Sequence, residues 1–447
     1  MSSLEEWITS RRIEEVECLV PDMSGIARGK ILPSAKFIKG AQDGGLRLPE
    51  SVFVQTVTGD SQAQSDVASP ANSDISLLPD PSTIRIVPWY EEPTAQVICD
   101  AFYLDGRPVD IAPRETLRRV LALYEEKGWS ATVAPELEFY LVKVNTDPDY
   151  PLEPPVGRSG RQESGQQAYG IEAANEFDPL MEKIYDYCDA QEIDIDTLAH
   201  EAGAAQFEIN FNHGAPMDLA DQVFLFKRTV RQAALKHGVY ATFMAKPHQN
   251  EPGSAMHIHQ SVTSVKSGEN LFSTKDGDDT PLFHNFIGGL QRYLPASMPL
   301  LAPNVNSYRR LMPYSDAPIN VHWAHDNRTV GLRVPVSDAT NRRVENRIAG
   351  VDANPYLAIA ATLACGWLGM TEEIEPNNPV EGNAYRFAFT LPRHLSDALS
   401  KLNHSRPLKD VLGDRFVAAV NEVKNLEYDA YQQVISSWER ENLLLNV

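Results

Sequence analysis

Cysteine is scarce in this sequence, with four residues in a chain of 447: Cys18, Cys99, Cys188 and Cys365. They are far apart and include no Cys-x-x-Cys pair, so they fit neither a zinc ribbon nor a disulfide scaffold. Isolated cysteines in a chain of this size are usually reduced residues of the core. The cysteine pattern therefore favours a cytoplasmic protein.

Long apolar runs are also missing. The N-terminal segment MSSLEEWITSRRIEE contains no apolar core of the signal-peptide type. The longest nearly apolar segment, from Pro355 to Met370, is too short to span a bilayer and includes Gly366. Both observations argue against a protein embedded in a membrane.

Basic residues are outnumbered, with 40 Lys and Arg against 61 Asp and Glu and a formal net charge of −21. Nucleic acids and anionic membranes bind basic surfaces, so we expect neither as a partner. A cationic small molecule would instead be attracted. The length suggests two or three domains, or one large core with a smaller attachment.

Neither common phosphate-binding loop, GxxxxGK[ST] or GxGxxG, occurs in the chain, so any nucleotide must bind in another way. Four early segments have the composition of strands: VECLVPD, GIARGKILP, STIRIVPWY and AQVICDAFYL. Residues 105–108 predict a turn and a boundary, and residues 114–127 predict an amphipathic helix. Residues 145–170 and 264–280 are predicted surface excursions.

Residues 132–142 alternate between polar and apolar side chains, which places Glu136 and Glu138 on one face of a predicted strand. Two carboxylates roughly 7 Å apart on one face repel each other unless they are solvated or bridged by cations. An isolated Glu-x-Glu pair is most often a solvated strand face. The pair alone therefore defines no site.

The same alternation recurs in three further segments, residues 206–210, 256–260 and 343–347. A predicted hairpin turn brings Glu201 near Glu208, and the next segment carries His257 and His259 on one face. A lone histidine is usually structural, but four strands with inward polar groups cannot form a dry core.

Glutamates with a histidine suit Mg²⁺ or Mn²⁺, which prefer oxygen ligands with an occasional imidazole. Downstream arginines offer donors for phosphate or carboxylate groups: Arg328, Arg333, Arg343 and Arg347. Metal ions and arginines without a phosphate loop indicate phosphoryl transfer in which metals bridge the nucleotide oxygens.

Several segments resemble the glutamine synthetase family and occur in its order along nearly the whole chain: VPDMSGIARGKILP, APELEFY, HEAGAAQFEIN, KPHQNEPGSAMHIHQS, NSYRRLMPYSDAP, NRTVGLRVP and RRVENR. The resemblance implies an α+β fold. It implies an N-terminal β-grasp domain over residues 1–110 and a larger catalytic domain of antiparallel sheet with helices over residues 111–447. It also implies a homododecamer of two stacked hexameric rings, with active sites between neighbouring subunits.

The resemblance also assigns residues. It implies one metal ion on Glu138, Glu201 and Glu208, and a second on Glu136, His257 and Glu345. L-Glutamate would contact Gly253, Arg310 and Arg347. ATP would contact His259, Ser261, Arg328, Arg333 and Arg343. The implied cofactors are ATP with two or more Mg²⁺ or Mn²⁺ ions. In the implied reaction the glutamate γ-carboxylate attacks the γ-phosphate, and an amine then displaces phosphate.

The sequence departs from the family at several positions. Segment 58–61, TGDS, stands where the family carries Asp-Gly-Ser-Ser, and Thr58 cannot supply the charge that helps bind ammonium. The loop acid, normally glutamate, is Asp316 in this chain. The loss of one methylene opens about 1.5 Å of space at the entrance for the nucleophile. Pro252 replaces an asparagine that contacts glutamate. Phe389 stands where the family's adenylylated tyrosine is expected, so that regulation should be absent.

A weakened ammonium site and a shortened loop acid fit a larger nucleophile, and the pattern is similar to γ-glutamylpolyamine and γ-glutamylputrescine synthetases. A primary alkylamine has a pKa of about 10.4, so it arrives as a cation and must lose a proton before attack. Asp316 is the candidate base, with Arg328 facing the phosphate and Asp60 a candidate for holding the amine. A glutamine synthetase using ammonium and a catalytically silent structural homologue remain the alternatives.

Overall fold

The computed structural model describes residues 2–447 apart from residues 63, 64, 66, 69 and 70. The first hundred residues form two helices and six strands: α1 (Ser2–Ser10), β1 (Glu15–Pro21), β2 (Ala27–Pro33), α2 (Ser34–Asp43), β3 (Arg47–Pro49), β4 (Asp74–Pro79), β5 (Arg85–Ile86) and β6 (Thr94–Phe102). Short 3-10 helices lie at Glu50–Val54 and Pro81–Thr83.

These six strands form one sheet in the order β2-β1-β6-β4-β3, with β5 also paired to β6. The central strands β1 and β6 run parallel, and the other pairs are antiparallel. Buried side chains follow β1 and β6, whereas the edge strand β2 is largely exposed. This is the expected β-grasp arrangement.

The strand predicted over residues 82–90 is wrong for most of its length. The Asp80 carboxylate accepts a hydrogen bond from the Ser82 backbone amide (3.0 Å), which starts a 3-10 helix at Pro81. Only β5 in this stretch pairs with the sheet. Helices α1 and α2 and strands β3 and β4 are elements that the sequence did not predict.

The rest of the chain contains ten helices and eight strands within the described residues: α3 (Pro113–Glu126), β7 (Trp129–Lys143), α4 (Ile171–Asn175), α5 (Asp178–Ala190), β8 (Ile195–His200), β9 (Gln206–Phe211), α6 (Pro216–Lys236), β10 (Val239–Thr242), β11 (Met256–Ser264), α7 (Pro281–Leu301), β12 (Trp323–His325), β13 (Leu332–Val334), β14 (Val344–Asn346), α8 (Pro355–Thr371), α9 (Leu395–His404), α10 (Arg406–Leu412), α11 (Asp414–Gln432) and α12 (Ser437–Leu443). Further 3-10 helices lie at Val305–Arg309 and Ala384–Arg386.

The eight strands form a second, mostly antiparallel sheet in the order β12-β13-β14-β11-β7-β9-β8, with β10 also paired to β7. The predicted helix over residues 114–127 is confirmed as α3, and residues 132–142 lie within β7. The four segments with polar faces belong to neighbouring strands, β9, β7, β11 and β14. Their adjacency places the polar faces side by side.

The other face of this sheet is apolar. On β7, Leu137, Phe139 and Leu141 are fully buried, as the alternation predicts. Helix α8 is buried along nearly its whole length and packs against α7, which explains its continuous apolar sequence. In the described part of the chain, none of the helices has both the length and the apolar character that crossing a bilayer requires. The four cysteines are buried and unpaired, as expected.

A buried ionic network joins the two sheets. The Arg114 guanidinium, 4% exposed, lies 2.6 Å from Asp80, 2.7 Å from Asp100 and 2.8 Å from Asp221. The Tyr356 hydroxyl donates a further hydrogen bond to Asp221 (2.6 Å). One arginine thus compensates three carboxylates from β6, α6 and the loop after β4. The division of the chain at residue 110 stays a prediction.

We expect Arg114→Met to lower the free energy of unfolding by about 3–5 kcal/mol, because it leaves buried carboxylates without a counter-charge. Urea denaturation followed by circular dichroism measures the loss. Arg118→Met is the matched control, since the Arg118 side chain is 41% exposed and also pairs with Asp100. Its loss should stay near 1 kcal/mol or less. Equal losses in the two variants would contradict the role of the network.

Candidate active site

Strand register brings the polar side chains of the second sheet together. Between β7 and β9, Glu138 lies opposite Glu208. Between β7 and β11, Glu136 lies opposite His257, and between β11 and β14, His259 lies opposite Glu345. Side chains directly opposite on antiparallel strands have Cβ atoms about 5 Å apart. The register therefore concentrates these groups on one sheet face.

Two groups of side chains have the donor chemistry and spacing of metal sites. Glu136, His257 and Glu345 each offer an atom within 4.8 Å of the others, and so do Glu138, Glu208 and His257. The first group is the predicted second metal set. The other contains two of the three residues predicted for the first metal, and His257 belongs to both groups.

Glu201 lies outside these two groups but next to them. Its backbone amide donates to the Gln206 carbonyl (2.8 Å) at the turn of the β8–β9 hairpin, as predicted. Its charge helps to raise the pKa values of Glu138 and Glu208, so the three predicted ligands share one electrostatic environment.

Burial, together with neighbouring carboxylates, raises the pKa of Glu138 to about 8 and the pKa of Glu208 to about 9. The largest effects of neighbouring charges are those of Glu201 on Glu138 and of Glu136 on Glu208. Crowded carboxylates without a counter-charge hold protons, and a divalent cation would supply that charge. The residues present therefore fit hard divalent ions.

Glu136 and Glu345 behave in the opposite way. Burial acts to raise the pKa of Glu136, but hydrogen bonds from His257 (3.3 Å) and His259 (2.9 Å) outweigh it and lower the pKa. Burial likewise opposes ionisation of Glu345, yet Arg347 and the histidines lower its pKa to about 2. Arg333 also lies 2.8 Å from Glu345. These two carboxylates remain charged.

A cavity of about 420 Å³ opens beside this cluster, and His259, Ser261 and Arg343 line it, as do Glu136 and Asn210. Arg343 donates a hydrogen bond to His259 Nδ1 (3.1 Å), and His259 Nε2 contacts Glu136 (2.9 Å). Three of the five residues predicted to contact the nucleotide therefore line one cavity. The His259 ring connects the cavity to the carboxylate cluster.

The residues predicted to contact glutamate lie together beside the carboxylate cluster: Gly253, Arg310 and Arg347. The buried Arg310 guanidinium donates to the carbonyls of Arg347 and Ile348, both at 2.9 Å. A Cβ atom on Gly253 would lie 2.5 Å from Arg310 Cγ and 2.7 Å from the Ala245 carbonyl, so only glycine fits. Arg347 contacts Glu345 at 2.5 Å. The arginines predicted for glutamate thus adjoin the cluster.

Asp316 lies on an exposed loop that faces Glu201. Burial raises the pKa of Glu201, the charge of Asp316 adds to the effect, and the charges of Arg328 and Arg347 oppose it. The Ser315 hydroxyl donates to the Arg310 and Met312 carbonyls (3.1 and 2.6 Å), which anchors the loop. Asp316 and the exposed Arg328 therefore lie close to the carboxylate cluster.

Asp60 is not part of this assembly within one chain. Its described hydrogen bonds are with Thr56 and Thr58, and the adjacent Val57 amide donates to Glu427 of α11 (2.8 Å). The loop therefore contacts α11 through Val57.

Three contacts near the site were not predicted from the sequence. Gln206 donates to the Gly253 carbonyl (3.1 Å) and the Tyr140 hydroxyl to the Pro252 carbonyl (2.8 Å), which fix the glycine loop. Asp326 pairs with Arg333 (2.9 Å). Gln206 lies on the predicted polar face and could have been identified there. The other two carry no local signal.

The family model for the glutamine synthetase catalytic domain matches residues 110–443. The chain belongs to the glutamine synthetase family, and it is a ligase of that family. Members use ATP and divalent metal ions, which agrees with the carboxylate and histidine groups described above.

Gamma-glutamylputrescine synthetase PuuA of Escherichia coli K12 is 35% identical over 435 residues, which cover 96% of this chain and 92% of that protein. Glutamate–isopropylamine ligase of a Pseudomonas species is 30% identical over 98% of this chain and 96% of its own length. The glutamine synthetase of Pyrococcus horikoshii is 32% identical over 96% of each chain. The solved structure of apo GmaS without ligand matches with a TM-score of 0.84, 28% identity and coverage of 99% of this chain and 100% of that one.

Proposed function

We propose that this protein ligates the γ-carboxylate of L-glutamate to a primary amine, a diamine or polyamine, and converts ATP to ADP and phosphate. The observation that carries the proposal is Asp316, a loop acid whose charge acts on Glu201. Its side chain is one methylene shorter than the glutamate that the family carries there, which would leave room for a nucleophile larger than ammonia. Two relatives act, by name, on putrescine and isopropylamine. The altered residue and these relatives both favour an alkylamine.

Glu138, Glu201 and Glu208 would hold one divalent ion, and Glu136, His257 and Glu345 a second. Ions bound there would offset the charge of the nucleotide phosphates. His259, Ser261 and Arg343 would bind the nucleotide in the 420 Å³ cavity that they line. Arg328 and Arg333 would stabilise charge on the transferred phosphoryl group.

Arg310, Arg347 and the Gly253 loop would hold glutamate beside the phosphate. An oxygen of the γ-carboxylate bonds to the γ-phosphorus and ADP leaves, which gives γ-glutamyl phosphate. The amine nitrogen then bonds to the carbon of the γ-carboxyl group, and the bond from that carbon to the phosphate oxygen breaks, so that phosphate leaves. Asp316 accepts the proton that the alkylammonium ion must lose, because only the free amine is a nucleophile.

We also propose a β-grasp domain over residues 1–110, a catalytic domain over residues 111–447 and a homododecamer. The Asp60 side chain bonds Thr58 within its own loop rather than the carboxylate cluster, and the loop contacts α11 through Val57, which is compatible with a role at the site of a neighbouring subunit. In that arrangement Asp60 would help to hold the cationic amine.

The second candidate is a glutamine synthetase that uses ammonium, favoured by the similarity to the Pyrococcus horikoshii enzyme. A coupled assay of ADP release with ammonium, methylamine, putrescine, spermidine and spermine separates the two. We expect kcat/KM for a diamine or polyamine to exceed that for ammonium by at least about tenfold, which is about 1.4 kcal/mol of differential transition-state binding. Glu345→Ala serves as the inactive control for background release.

The highest kcat/KM with ammonium would contradict the proposal and establish the second candidate. No turnover with any amine, together with no thermal stabilisation by Mg-ATP, would instead favour a silent homologue. Mass spectrometry of the product identifies which nitrogen compound has been joined to glutamate.

A further inference from the structure

Two tyrosines, Tyr314 and Tyr385, lie close to the loop acid Asp316 and have no role in the proposed reaction. Tyr314 lies two residues before Asp316 and is 77% exposed. Its ring lies 5.0 Å, centroid to centroid, from the ring of Tyr385. The Tyr385 hydroxyl donates to the Ala317 carbonyl (3.0 Å), directly after the acid. The aromatic pair is therefore connected to the chain before Asp316, through Tyr314, and to the chain after it, through the hydrogen bond to Ala317.

The pair also lies against the substrate side of the site. Burial raises the pKa of Tyr385, the charge of Asp316 adds to the effect, and the charges of Arg347 and Arg310 oppose it. The charges of the loop acid and of the arginines proposed for glutamate therefore both act on the Tyr385 hydroxyl. The Tyr314 ring extends this contact outward to solvent.

Backbone conformation sets the direction of the Tyr314 ring. Tyr314 and Asp316 have φ angles of 61° and 57°, in the left-handed region that residues other than glycine rarely adopt. Such conformations are held by surrounding contacts, here the Ser315 hydrogen bonds to Arg310 and Met312. The loop therefore presents an aromatic ring and a carboxylate from nearly adjacent, fixed positions.

We propose that Tyr314 is a specificity-determining residue whose ring, packed on Tyr385, binds the carbon chain and distal ammonium group of a diamine whose other nitrogen reacts at Asp316. This inference rests on the proposed amine ligation. Aromatic faces attract ammonium groups, and the ring also covers methylene groups. Residues two apart span at most about 7 Å, and the nitrogens of a four-carbon diamine are roughly 6 Å apart, so the two contacts can form together.

The test compares amines of different length on variants of one ring. Asparagine tolerates the left-handed conformation, so Tyr314→Asn removes the ring without adding backbone strain. We expect it to raise KM for putrescine about tenfold, the effect of losing one cation–π contact, and to change KM for methylamine less than about twofold. Tyr314→Phe should retain wild-type values. Tyr150→Asn, at a tyrosine that is 71% exposed in a surface loop, is the matched control.

An unchanged KM for putrescine in Tyr314→Asn would overturn the inference, and so would equal increases for putrescine and methylamine. If Tyr314→Asn changed the molar mass measured by light scattering and lowered activity equally with all amines, the ring would belong to a contact between subunits, and the inference would be overturned too. The proposed function itself fails if the wild-type protein prefers ammonium or ligates no amine, and both results are read from the wild-type protein alone, so the two failures are distinguishable.

Discussion

Glu208→Gln is expected to abolish turnover and yet stabilise the ion-free protein at pH 8. The folded protein raises the pKa of Glu208 from 4.5 to about 9, so the folded state binds this proton more tightly than the unfolded state. Stability is therefore lost as pH rises between about 4.5 and 9. Glutamine carries no charge and removes this penalty, so its melting temperature in EDTA should exceed the wild-type value at pH 8 and match it near pH 5.

Glu345→Gln should also abolish turnover, but it should destabilise the protein. The folded protein lowers the pKa of Glu345 to about 2, because the charges of Arg347 and of the two histidines outweigh burial. Removing the charge leaves the buried Arg347 without a counter-charge and Arg333 with Asp326 as its remaining ion pair, a loss of about 3–5 kcal/mol. Both variants should lower kcat about a thousandfold or more, since metal ions supply several kcal/mol to such reactions.

Thermal melts at pH 5 and pH 8, with EDTA or MgCl₂, measure these opposite shifts. Glu269→Gln, at a side chain that is 58% exposed, controls for the loss of one negative charge. Equal destabilisation by Glu208→Gln and Glu345→Gln would show that the cluster is a structural ion-pair network and does not hold metal ions.

Arg328→Ala is expected to lower kcat by two to three orders of magnitude and leave the fold intact. Arg328 is exposed and has no hydrogen bond or ion pair among the described residues, so its loss exposes no buried charge. Its charge nevertheless acts on Glu201 in the carboxylate cluster. Arginines that contact a transferred phosphoryl group commonly contribute a thousandfold or more to kcat.

Steady-state kinetics with saturating ATP, glutamate and amine give the kcat of Arg328→Ala, and a thermal melt should agree with wild type within about 1 °C. Arg393→Ala, another exposed arginine, is the control and should retain full activity. A normal kcat in Arg328→Ala would remove this residue from the proposed phosphate contacts. A lowered melting temperature would instead indicate a structural role.

Side-chain alternation predicted the carboxylate face well because it depends only on strand periodicity. Glu136, Glu138, Glu208 and His257 occupy one face of three adjacent strands, and that adjacency was assumed from the shared polarity rather than from any local signal. Once the strands pair antiparallel, register alone brings the groups together. The resemblance to the family supplied Arg310 and assigned each of the other arginines to a ligand, because donor chemistry alone does not tell a phosphate from a carboxylate partner.

Other features depend on contacts between residues distant in sequence. The Tyr314–Tyr385 ring pair joins positions 71 apart, and the Tyr140 hydroxyl bond to Pro252 spans 112 positions. Neither leaves a local pattern. The strand predicted at residues 82–90 failed because the Asp80 side chain competes for a backbone amide and favours a 3-10 turn. The Asp60 side chain bonds within its own loop, so its proposed role depends on a neighbouring subunit rather than on contacts within the chain.

The hydrogen bonds of the His259 ring have a consequence for how the nucleotide and the cation affect each other's binding. Its Nδ1 accepts from the Arg343 guanidinium, which has no lone pair to offer, so the neutral ring must carry its proton on Nε2, where it donates to Glu136. A nucleotide phosphate that attracted Arg343 would break the hydrogen bond to Nδ1, and a cation bound to Glu136 would displace the Nε2–H donor from that carboxylate. Each ligand would thus weaken the contact of the His259 ring that competes with the other ligand. Nucleotide and cation should therefore bind with positive synergy, each increasing the other's affinity by the same factor.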